Sequence, residues 1–239
     1  MKRQRLSRIG LGALVVASTA AFAANGGWAV VSVAKVPDAW IAGKPLQLTW
    51  QVRQHGETPL HDLKPTLEAR AGSRRITGRT WAFEEDGQKG YRGSITFPEP
   101  GVWQVTIHSG FGRSRAVLVP WRVVDSVTPV RGTVEEQLGR MGVAAFPEAE
   151  RGRRMFAAKG CVACHVHRAV GIAGEVSDFG PDLTDRSFAA DYLARFLADP
   201  SIKPPTNGRR MPNPGLREKD IAPLVAFLTA NARRREASR

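Results

Sequence analysis

Residues that carry chemistry are scarce in this sequence. Its 239 residues include two cysteines, five histidines, four methionines and two tyrosines. Two cysteines allow one disulfide at most, so the chain is not a disulfide-stapled scaffold. No internal repeat is evident, and low complexity is confined to the first residues. A long hydrophobic run is missing too. The longest, Ile9 to Ala24, is diluted with Ala, Gly, Ser and Thr and falls short of the roughly 20 residues a membrane span needs. Acid is in short supply: 22 Asp and Glu face 35 Lys and Arg, giving a formal charge of +13 and a pI near 10.8.

What is present begins with an address. "MKRQRLSRIGLGALVVASTAAFA" puts cations before an apolar run and ends on Ala21-Phe22-Ala23, the small-x-small pattern of a signal-peptidase site. Residues 1–23 are therefore expected to be a signal peptide, with the protein periplasmic or otherwise exported. A retained anchor is the rival reading, and membrane association depends on it. Export argues against nucleic acid as the partner that so basic a chain first suggests. Cleavage removes Lys2, Arg3, Arg5 and Arg8 and no acid, leaving +9 of the formal +13, spread over the whole chain. Such a surface suits solubility, an acidic partner or anionic lipid.

From Trp28 to Val124 the hydrophobic pattern has a period of two. Leu46, Leu48, Trp50 and Val52 alternate with polar residues, as do Trp103, Val105 and Ile107. Further strands are expected at 28–35, 64–70, 75–82, 91–97 and 115–124, seven in all, which predicts a β-sandwich over residues 24–125. Trp50, Trp81, Trp103 and Trp121 are expected in its core or at its edges. His55, His61 and His108 are expected to be solvated, since this half lacks Cys and Met to complete a soft metal site.

Residues 126–146 mix Pro, Gly and charge around at most one short helix and are expected to be a linker. Residues 147–239 change to helical periodicity. Helices are expected at 147–159, from Ser187 as N-cap to Ala198 burying Tyr192, Leu193, Phe196 and Leu197, and from 218 or 220 to 232 with Ile221, Leu224, Val225 and Leu228 on one stripe.

Both cysteines stand in "KGCVACHVHRA". A thioredoxin-type pair would follow a strand, and its surroundings here are helical. A zinc site would need the adjacent Cys164 and His165 to face one tetrahedral ion. Covalent haem attachment explains every position: Cys161 and Cys164 add to the two vinyl groups on one edge of the ring, and His165 is carried beneath it to the iron. His167 has the wrong offset and is expected to be a surface or loop histidine. For the sixth iron position, Met141 lies in the linker and Met155 in a helix as core filler. Met211, in the Gly- and Pro-rich "GRRMPNPG", can be presented by a loop to the far side of the ring.

Residues 147–235 resemble a class I cytochrome c of the compact bacterial type. The resemblance rests on Gly152 and Phe156, "GCVACH", "GPDL" at 180–183, "YLARFLADP", Met211-Pro212, and Leu224, Phe227 and Leu228 in the last helix. It implies an all-α cytochrome c fold with one covalent haem c, and a Pro181 carbonyl that accepts the Nδ1 proton of His165. It also implies that the first and last helices cross at Gly152, with Phe156 against Leu224 or Phe227. The N-terminal half resembles small exported immunoglobulin-like modules through "AGKPLQLTWQV" and "FPEPGVWQVTI". Together these imply an exported electron carrier with a sandwich docking module, serving a dehydrogenase or terminal oxidase with an acidic docking face. A haem-bearing subunit of a larger oxidoreductase is the alternative. An enzyme in its own right and a gas sensor with an open sixth position are the remaining classes.

Overall fold

A computed structural model describes residues 27–125, 132–171, 179–205 and 208–237, the last seven by backbone only. The expected signal segment lies outside the described residues, as does the start of the linker.

The N-terminal half is a strand-rich curled sheet of ten strands: β1 (Ala29–Val33), β2 (Ala39–Ile41), β3 (Pro45–Gln54), β4 (Thr58–Pro59), β5 (Thr66–Ala71), β6 (Arg74–Glu85), β7 (Gln88–Thr96), β8 (Gly101–His108), β9 (Arg115–Val117) and β10 (Trp121–Val124). Hydrogen bonding runs continuously in the order β1-β3-β7-β6-β5-β8-β10-β2, with β4 on β3 and β9 on β8. All pairs are antiparallel except β10 with β2. The alternation in β3 and β8 translates directly into an inner face, on which Leu46, Leu48, Trp50, Val52, Trp103, Val105 and Ile107 are buried. Trp50, Trp103 and Trp121 are fully enclosed, each worth on the order of 4–5 kcal/mol of gross transfer energy. Trp81 is the exception among the core candidates, 40% exposed on β6.

Among the described residues four α-helices follow: α1 (Val134–Arg140), α2 (Glu148–Ala158), α3 (Ala190–Ala198) and α4 (Glu218–Ala237). Helix α1 starts with a capping box between Thr133 and Glu136 and lays Leu138 on Ala39 and Ile41 of β2. Helices α2 and α4 cross where a Cβ at Gly152 would stand 1.8 Å from the Pro223 carbonyl oxygen, so only glycine admits the approach. Phe156 meets Phe227 edge-on at 5.8 Å, and Leu224 shares their cluster. Helix α3 begins later than the sequence suggested, with Ala189 and not Ser187 at its N-cap, and Tyr192 lies on its exposed side while Leu193 and Leu197 are buried. Helix α4 runs five residues beyond the expected end at 232. No helix among the described residues is long and apolar enough to cross a membrane.

The two halves share their cores. Ala158 of α2 packs into the sheet cluster, and Val119, between β9 and β10, packs into the helical one. Polar contacts reinforce the join. Lys159 Nζ donates to the Ala34 carbonyl and pairs with Asp220 at 3.0 Å, both side chains nearly enclosed. Arg217 bridges Asp220 and the same carbonyl. Arg154 donates to the Pro120 carbonyl and lies over the Phe146 ring.

Candidate haem site

Helix α2 ends at Ala158 with Lys159 as its C-cap, and Gly160 turns the chain with φ 79°, a conformation that favours glycine. Cys161–Ala163 form one 3-10 turn, whose Cys161 carbonyl accepts from the backbone N–H groups of both Cys164 and His165. The thiols are thereby brought onto one short turn, with the imidazole immediately after. Neither cysteine is in a disulfide. Burial pushes the Cys161 thiol up to about 12.

A second segment straps this turn. Gly180 N–H donates to the Cys164 carbonyl and Leu183 N–H to the Val166 carbonyl. A Cβ at Gly180 would lie 2.5 Å from His165 Nδ1 and Cε1. Glycine there lets the next carbonyl, that of Pro181, come within 3.0 Å of His165 Nδ1. Burial lowers the pKa of His165, with the Pro181 carbonyl opposing. The neutral tautomer with its proton on Nδ1 leaves the Nε2 lone pair available to a metal.

Met211 is half-buried in an extended loop, against the same cluster that takes in Cys161, Val162, Leu183, Leu193 and Leu197. Asn213 turns the chain just after it by accepting from Gly215 N–H. Met155 packs into this cluster as well, from α2. Four of the six exposed large hydrophobic side chains among the described residues, Val166, Phe179, Tyr192 and Ile202, belong to this half, two of them on the segments that hold His165 and Pro181. Two thiols, a neutral imidazole, a thioether and uncovered apolar side chains are a donor set suited to a flat, apolar iron macrocycle attached through its edge.

Residues 149–231 match the family model for cytochrome c. The helical half carries a cytochrome c domain. That domain makes the protein a haem-bearing electron-transfer protein, with Cys161 and Cys164 compatible with the attachment motif. The match covers about a third of the chain and leaves the curled sheet outside it. No curated protein matches the chain.

His167 departs from expectation. It is 6% exposed, with its ring 4.4 Å from Phe227 and 6.0 Å from Phe156, and its Nδ1 accepts from Ala169 N–H. It belongs to the core of the cytochrome domain, where burial lowers its pKa. In the sheet, His108 reaches toward Glu68 at 3.8 Å, and His55 lies beside Trp28 with ring centroids 5.5 Å apart. Among the described residues no group of three or more His, Cys, Asp or Glu could hold a metal ion. Sequence reasoning missed Lys159 and its pairing with Asp220, for which no local signal exists.

Proposed function

We propose that the protein is an exported single-electron carrier, with one haem c held by Cys161 and Cys164 and ligated by His165 and Met211. The observation that carries this reading is the Pro181 carbonyl 3.0 Å from His165 Nδ1, next to the paired thiols. It holds the imidazole in the tautomer an iron ligand requires. Bound here, the haem supplies a reversible ferric/ferrous couple. The chain's own part is to hold that couple still. The Pro181 carbonyl would strengthen the His165 donor, Met211 would supply a thioether ligand and so leave no iron position for substrate, and the apolar walls would exclude water. A thioether ligand and a dry site both favour the reduced state.

Its partners are redox proteins with an acidic docking face, a dehydrogenase or terminal oxidase, approached by a chain whose formal charge of +13 falls to +9 once residues 1–23 are removed. The alternative, a haem subunit of a larger periplasmic oxidoreductase, draws support from the uncovered β6 strand and the exposed Trp81 and Val102. Co-purification of a catalytic chain tells the two apart.

Absorption spectra of the holoprotein test the axial ligation. Ferric wild type is expected to show the weak long-wavelength band of a methionine sulfur on iron, and Met211→Ala to lose it while retaining covalent haem. A variant spectrum identical to wild type rules Met211 out.

A further inference from the structure

Three segments bear on the candidate haem site: the Cys161–His165 turn, the Gly180–Leu183 strap and the Met211 loop. Each of them is touched by the curled sheet at a position next to a site residue. Beside Cys161, a Cβ at Gly160 would fall 2.3 Å from Val30 Cγ1 and 2.9 Å from the Val31 carbonyl oxygen, so β1 lies directly on the turn. Beside Gly180 and Pro181, Phe179 packs on Trp28 with ring centroids 5.2 Å apart. Arg209, two residues before Met211, sits 5.3 Å from that Phe179 ring and ties the strap to the Met211 loop. Immediately after Met211, Pro212 Cγ is 3.2 Å from where a Cβ at Gly56 would be. Farther along the loop, the Arg53 guanidinium is 3.3 Å from the same point on Gly215.

Local geometry accounts for the sheet's reach. His55 and Gly56 both adopt left-handed conformations, with φ 53° and 79°, and fold β3 back onto β4 in a tight turn. The turn projects past β1, and Trp28 fills the angle between His55 and Phe179.

We propose that the N-terminal sheet is a built-in clamp on the haem-site loops, in which Trp28, Arg53 and Gly56 are positioning residues for the Met211 loop and the Gly180–Leu183 strap. The sheet therefore acts on the redox site itself and is not a module swinging freely on the linker. The proposal deepens the electron-carrier reading and rests on it for the role of Met211.

Hydrogen–deuterium exchange of the full-length holoprotein, read by mass spectrometry, tests it. Trp28→Ala is expected to raise exchange in peptides spanning 179–184 and 208–216 by about threefold to tenfold, with α2 and α4 unchanged. Trp28→Phe is expected to restore most of the protection, and Trp81→Ala, at the exposed β6 site, to change nothing in these peptides. Arg53→Ala, which removes the contact at Gly215 together with a hydrogen bond to Gln51 Oε1 on its own strand, is expected to act in the same direction and decides the matter if Trp28→Ala does not fold. In the same samples the ferric methionine band is expected to weaken at lower pH stress or temperature in Trp28→Ala than in wild type. Unchanged exchange in both loops overturns the clamp, and so does a rise spread evenly over the whole chain. A wild type without the methionine band sinks the ligand assignment alone, because exchange in the two loops still decides whether the sheet holds them.

Discussion

His165 and His167 are two residues apart and have opposite surroundings. His165 is held by a carbonyl brought in by the glycine strap, whereas His167 is enclosed between two phenylalanines. The spacing of Cys161, Cys164 and His165 was legible because that chemistry is local. The burial of His167 was not, since Phe227 arrives from α4, far along the chain. Its folded pKa is lowered by burial, so the unfolded chain takes up the proton more readily and stability falls as pH drops below the unfolded value of about 6.5. His167→Leu is expected to flatten that decline below about pH 6.5. Urea unfolding midpoints measured across this range check it.

At the scale of elements, long alternating strands and helices with an apolar stripe could be read, and short or packing-defined elements and the N-cap of α3 could not. β3 and β8 carry their pattern over eight residues or more. β2 and β4, at three and two residues, are too short to show a period and exist through pairing with β10 and β3. Tyr192 fits a helical stripe but faces outward, stacked on Phe196 at 6.0 Å. Gly152 was legible through resemblance, and the crossing of α2 and α4 supplies its physical reason. Gly152→Ala would improve helix propensity, yet its Cβ would collide with the Pro223 carbonyl at 1.8 Å. A net destabilisation of about 1–3 kcal/mol is expected, measurable by chemical denaturation of the holoprotein. A gain in stability would mean that the two helices can move apart without loss.

At the scale of the whole molecule, the decisive contact is the enclosed Lys159–Asp220 pair, with the exposed Arg217 beside it, around the Ala34 carbonyl. It ties the end of β1 to α2 and α4. The two cations hold the Asp220 carboxyl below the usual range against the opposing effect of burial. Its stabilising contribution is thus complete above about pH 4 and fades as pH falls through the lowered folded value. Asp220→Asn leaves Lys159 buried without its counter-charge and is expected to cost about 3–5 kcal/mol. Melting followed by far-ultraviolet dichroism and by haem absorbance is expected to show both halves unfolding together at a lower temperature.

Gly160 has a bearing on heredity as well as on shape. Its missing side chain is an accommodation to Val30 and Val31, residues of the other half of the chain. A cytochrome segment transplanted behind a different leader would keep its haem motif but lose the surface to which this glycine is fitted. The two halves are expected to have diverged in step, as parts of one inherited unit, with changes along β1 matched by changes around the cysteine turn.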